Sequence, residues 1–158
     1  KVFGANREKQ SYCSAIIFDL YMNTCRTYAT RNFSTPLFSL PGVQTSQDVV
    51  QLRRDFYGVD GNKETFVRAL EDRGLGVRIN NLDDFTPGDM VQFWRNTGSG
   101  HAVIFKSWSY KASGVRTLHY WSIQESTGGM AETTEIVGAN GSIDETKIYA
   151  LRPYVPLR

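Results

Sequence analysis

The sequence predicts an α+β protein in which helices come first and an antiparallel sheet follows. Two observations carry that reading. Apolar residues recur at helical spacing over the first half of the chain, and after Thr86-Pro87-Gly88-Asp89 they switch to period-two runs rich in aromatic and β-branched side chains. A third sets the scale. The 158 residues hold no repeat, low-complexity tract or long linker, so they read as one domain over 1–158, large enough to bury a core without a metal or disulfide staple.

The first helix is expected to start at Cys13, with Ser11 as its N-cap and Ile16, Ile17, Leu20 and Tyr21 on one face. A second is expected from Ser46 to Tyr57. Val49, Val50, Leu52 and Phe56 form its apolar set, Thr45 and Asp48 a capping box, and Gly58 and Gly61 its end. The third is expected from Lys63 to Arg73, with Phe66, Val67 and Leu70 inward and Gly74 at the C′ position. The Pro87-Gly88 pair then marks a turn, and Asp89 reads as the residue that caps it. Strands are expected at Met90 to Trp94, His101 to Trp108, Val115 to Gln124 and near Lys147 to Leu151. Asn96 to Gly100 joins the first two as a hairpin. Ser126 to Gly129 and Gly138 to Ser142 read as loops, with a further edge strand between them.

Composition removes several classes of function. Hydrophobic residues at 41% and charged residues at 22% are ordinary for a globular domain and give no ground for disorder. The net charge is +2 and the Lys and Arg residues are scattered, so no nucleic-acid surface is expected. No apolar run approaches the roughly 18 residues of a membrane span, and no signal peptide is expected within these residues. Cys13 and Cys25 are expected as free thiols. Twelve helical residues would hold them roughly 18 Å apart, beyond the ~7 Å reach of a disulfide. Zinc is not expected, because Cys13, Cys25, His101 and His119 include no close ligand pair. Nor is there a phosphate-binding loop or dinucleotide fingerprint, so no cofactor is implied.

The residues that could carry chemistry are Cys13 and His101. A thiolate is favoured at a helix N-terminus beside an imidazole, where the dipole stabilises the anion and free N–H groups can hold an oxyanion. Cys13 meets the first condition. His101 follows Gly98-Ser99-Gly100 and opens the strand His-Ala-Val-Ile-Phe, so its ring is expected at the end of a sheet where that helix start could meet it. A third polar group should accept the imidazole Nδ1 proton. Gln124 and Glu125 are the candidates, and alternation lets only one of them point at the ring. Cys25 reads as a packed thiol and His119 as a core or surface histidine. Trp94, Ser99 and Trp121 are the candidates to line a substrate groove.

Taken in order, Cys13 at a helix start, Thr-Pro-Gly-Asp-Met-Val-Gln-Phe-Trp, Gly-His-Ala-Val-Ile-Phe and Tyr-Trp-Ser-Ile-Gln-Glu-Ser span about residues 11 to 127. This order resembles the NlpC-type and CHAP-type (cysteine, histidine-dependent amidohydrolase/peptidase) branch of the papain-like superfamily. Tyr-Cys-Ser-Ala stands where relatives commonly carry Asp-Cys-Ser-Gly, and two helices separate Cys13 from His101, which marks a divergent member. The resemblance implies a papain-like fold and thiolate attack by Cys13, with His101 as base and no cofactor. It favours Gln124 as third residue, or Glu125 if the chain follows the acidic CHAP pattern. The implied substrate is an amide in a bacterial cell-wall peptide, in a secreted or cell-envelope setting, with an immunity or inhibitor protein as a possible partner. Two other expectations stand beside it. One is a protein deamidase or acyl transferase with the same dyad, the other a non-catalytic interaction module of the same fold.

Overall fold

The computed structural model describes residues 13–124 and 128–155. Three helices precede a sheet of six strands: α1 (Cys13–Phe33), α2 (Ser46–Phe56) and α3 (Phe66–Glu71), then β1 (Gly76–Ile79), β2 (Met90–Arg95), β3 (Gly100–Tyr110), β4 (Arg116–Gln124), β5 (Gly129–Ile136) and β6 (Ile143–Pro153). The strands are ordered β1-β6-β2-β3-β4-β5, and every neighbouring pair is antiparallel. The α+β class and the helix-then-strand order expected from the sequence are therefore present. Ser11, the expected N-cap of α1, lies outside the described residues.

α2 begins where its capping box requires. The Thr45 hydroxyl accepts the Asp48 N–H at 3.2 Å while Asp48 Oδ2 accepts the Thr45 N–H at 2.8 Å, so two orphan donors of the first turn are satisfied. Thr45→Ala removes one acceptor and leaves the carboxylate in place. It should cost about 1 kcal/mol, read as a lower urea midpoint at unchanged slope; a midpoint equal to wild type would show the box to be idle.

α3 is shorter than expected, six residues instead of the span from Lys63 to Arg73. The reason is local. Thr65, at its N-cap, is held at φ 47°, ψ −122°, a region costly for a β-branched residue, so helical backbone cannot extend back through it to Lys63. Compensation comes from burial and a hydrogen bond, the Thr65 hydroxyl donating to Gln92 Oε1 at 3.2 Å.

Two apolar clusters lie on the two sides of the sheet. On the first side the helices contribute Ile17, Phe18, Tyr21, Leu52, Phe56, Phe66 and Leu70, which meet Met90, Ala102 and Leu151 from the strands. Phe56 anchors this layer through ring contacts to Phe18 at 5.1 Å and Phe66 at 5.2 Å. On the second side the sheet curls on itself. Val91, Phe93, Val103, Phe105, Leu118, Tyr120, Val137, Ile143 and Ala150 fill the concavity, and a parallel bridge from Val137 to Ile143 brings the β5 end back to the start of β6. Both sides of β2 from Met90 to Phe93 and of β3 from His101 to Val103 are thus buried.

The turn before β2 is capped as the sequence implies. Asp89 Oδ2 accepts the Thr86 N–H at 2.7 Å, and Arg152 clamps the same carboxylate from β6 at 2.9 and 3.0 Å. Among the described residues no helix is long and apolar enough to cross a membrane.

Candidate functional site

Cys13 is the first residue of α1 and is partly exposed; it packs against the helix-side cluster. Cys25, three turns on, is buried, and burial pushes its thiol up to about 11. Both are free thiols.

His101 lies on the other side of the sheet. In β3, Ala102 belongs to the helix-side cluster, whereas His101, Val103 and Phe105 alternate onto the concave side. The ring is wedged edge-on between Phe93 at 5.7 Å and Tyr120 at 5.8 Å, and its Nε2 is 2.9 Å from Ser122 Oγ. His101 is 5% exposed and Ser122 is 0% exposed. The sequence leads to the expectation that the Cys13 thiol meets the His101 imidazole; in the structure Cys13 packs with the helix-side cluster, whereas His101 faces the concave side of β3 with Phe93, Val103 and Phe105. A strand residue has one choice of side, and β3 gives its helix-facing side to Gly100, Ala102 and Ile104.

Gly100 occupies the helix-facing position next to His101. A Cβ there would lie 3.0 Å from the Trp94 ring and 3.1 Å from the Gln92 amide nitrogen, so this stretch is closed by packing and admits only glycine comfortably. The polar groups on this side are Gln92, Thr65 and Trp94, with the Trp94 indole N–H donating to the Lys63 carbonyl at 2.8 Å and the Lys63 ammonium 5.7 Å from the ring centre.

Of the other expected site residues, Gln124 ends β4, opposite Gly129 of β5. Its side chain and all of Glu125 lie outside the described residues. Among the described residues, the hydrogen-bond partner of the His101 ring is Ser122, on Nε2. Ser99 is exposed in the β2–β3 hairpin, 3.1 Å from Thr97 Oγ1 and 3.4 Å from Arg95 Nη1. Trp94 and Trp121 share the helix-side face, since Trp94 pairs with Gly100 and Trp121 with Ile104, and both are partly exposed.

The residues surrounding His101 form a network that sequence reasoning missed. Glu135 of β5 receives both Arg95 donors at 2.8 and 2.6 Å, the Tyr120 hydroxyl at 2.6 Å and the Ser142 hydroxyl at 2.6 Å. Burial works to raise the Glu135 carboxyl, and the hydrogen bonds from Arg95, Ser142 and Tyr120 outweigh it, holding the group below its usual range. His101 is shifted down as well, which for an imidazole favours the neutral form. Burial, then the Arg95 charge, push it down to about 4, with Glu135 opposing weakly. At neutral pH the imidazole is uncharged and hydrogen-bonded inside the core. Nothing in the sequence pairs Arg95 with Glu135 forty positions away; the alternation of Tyr120 and Ser122 in one strand was the only available hint.

The fold and these positions define an α+β protein with a six-stranded antiparallel sheet, a partly exposed thiol on α1 and a buried neutral histidine. Comparison with protein-family models, with curated proteins and with solved structures gives no match in any of the three.

Proposed function

We propose that this chain is a papain-like interaction module, one that carries the Cys, Pro-Gly-Asp and Gly-His order of that superfamily and uses the frame to bind rather than to hydrolyse. The observation that carries the reading is the burial of His101 on the side of the sheet away from α1, with its Nε2 engaged by Ser122. A general base must reach the proton it takes, directly or through one water. The imidazole faces the concave side of the sheet, and Cys13 packs with the helix-side cluster, which supports reading the pair as separate. His101 then serves to pin β3 to β4. The resemblance suggests a peptide or glycan of the cell envelope as the ligand, and a secreted or envelope setting for the protein.

A second reading keeps the enzyme: an amidase or endopeptidase that opens an amide of bacterial cell-wall peptide by attack of Cys13. One observation favours it, the partial exposure of Cys13 in α1 while Cys25 is buried. It requires the His101 ring to leave Ser122 and pass to the helix side.

Mass spectrometry of peptidoglycan fragments incubated with wild type and with Cys13→Ala separates the two. The module reading expects identical fragment patterns and no ammonia release. A product formed by wild type and lost in Cys13→Ala would overturn it in favour of the thiol enzyme; ammonia lost in the same way would point to a deamidase.

A further inference from the structure

On the side of the sheet that carries α1, further along β3 and β4, the strands enclose a polar hollow of about 240 Å³. Its lining includes Lys106, Ser107, His119, Glu132 and Thr134. The pairing explains the dent. A register shift between Phe105 and Ser107 interrupts the β3–β4 ladder, and a bulge of this kind bends the strand and re-aims its side chains. His119 then stands in a row between Ser107 of β3 and Thr134 of β5. Its Nε2 is fixed by Ser109 Oγ at 2.7 Å, and an ion pair from Lys106 to Glu132 spans the hollow. Two residues along the same face of β4, Trp121 pairs with Glu132 and is partly exposed.

The chemistry of this lining narrows what fits. The Lys106 ammonium is met by a carboxylate, so the hollow offers a free anion no net charge. Hydroxyl, imidazole, ammonium and carboxylate groups predominate in the lining, and an aliphatic ligand would leave them unpaired. Among the described residues no group of three or more His, Cys, Asp or Glu side chains is placed to hold a metal ion. The volume is below the roughly 300–1,000 Å³ of drug-sized pockets. What remains is a small ligand with several neutral donors and acceptors and an apolar face that can lie against an indole.

We propose that this hollow, with Trp121 two residues beyond His119 on the same face of β4, binds one ring of a neutral saccharide. The proposal rests on the interaction-module reading and names the ligand class of that module. Lys106 and Glu132 together supply donors and acceptors to vicinal hydroxyls, His119 and Thr134 fix the ring's orientation, and Trp121 covers one face of the ring.

The test is a nuclear magnetic resonance titration of the full chain with chitotriose, maltotriose and, separately, inorganic phosphate. At least one of the two sugars should shift the amides of Lys106, Ser107, His119 and Thr134 saturably in the millimolar range and change the Trp121 indole signal. His119→Ala and Thr134→Val, both at the surface of the sheet, should each weaken that binding about tenfold with little change in melting temperature. Neither sugar moving these amides, shifts that survive both variants, or a response to phosphate alone would overturn the proposal. Repeating the titration on Cys13→Ala keeps the two questions apart. Sugar binding together with a Cys13-dependent product sinks the module reading and leaves the site. No sugar binding and no such product sinks the site and leaves the module.

Discussion

Glu135→Ala is expected to cost about 3–5 kcal/mol of stability, the range for removing one partner of a largely buried ion pair. The carboxylate accepts four hydrogen bonds, two from Arg95 and one each from Tyr120 and Ser142. Its side chain is 13% exposed and that of Arg95 21%, so solvent replaces little of what is lost. Without it the guanidinium, packed 5.3 Å from the Phe93 ring centre, is left in low dielectric with no counter-charge, and the Tyr120 hydroxyl loses its acceptor. Urea denaturation reads the effect as a lower midpoint at unchanged slope. The double substitution Arg95→Met with Glu135→Leu should be milder than Glu135→Ala, because it removes the orphaned charge along with the pair. If Glu135→Ala loses less than about 1 kcal/mol, the network is a surface feature and not a tie between β2, β4 and β5.

Acidification should destabilise the protein through His101, by up to about 3 kcal/mol in all. Burial holds the folded imidazole down to about 4, whereas in the unfolded chain it titrates near 6.5. Between those values the unfolded state binds a proton that the folded state refuses. The contribution of neutral His101 is therefore intact above pH 6.5, falls as pH drops from 6.5 towards 4, and declines no further below that. Carboxylates add their own acid dependence, so the informative quantity is the difference between wild type and His101→Gln across this window. The variant should lose stability at pH 7, through the Ser122 contact and the fit between Phe93 and Tyr120, yet show a flatter profile from pH 6.5 to 4. Parallel profiles would mean that the histidine is already accessible to protons in the folded state. A titration of the His101 ring near 6.5, followed by NMR, would carry the same message and would reopen the case for its partnership with Cys13.

Much of the local structure was legible because it depends on neighbours in sequence. The Thr45–Asp48 box and the Asp89 turn cap each follow from residue types three apart. β5 was expected as an edge strand between two loops and lies at the sheet edge. β1 was missed. Its four residues follow the Gly74 helix stop with no alternation long enough to register, and they become a strand by pairing with β6, more than seventy positions later. The third helix was drawn too long because Phe66, Val67 and Leu70 repeat at helical spacing, and spacing carries no sign of the strained backbone at Thr65. Its hydrogen bond to Gln92 depends on a residue 27 positions away.

Taken alone, the sequence determined the order of helices and strands, the turn chemistry, and the fact that His101 must share a side of β3 with Val103 and Phe105. Which side that is was decided only in three dimensions. Period-two alternation names a buried side when the opposite one is polar, and His-Ala-Val-Ile-Phe has no polar side to mark. Helices cover Ala102 and Ile104 while the curl of the sheet covers His101, Val103 and Phe105. That choice rests on the summed packing of distant elements, and it sets the imidazole against Ser122 and away from the thiol.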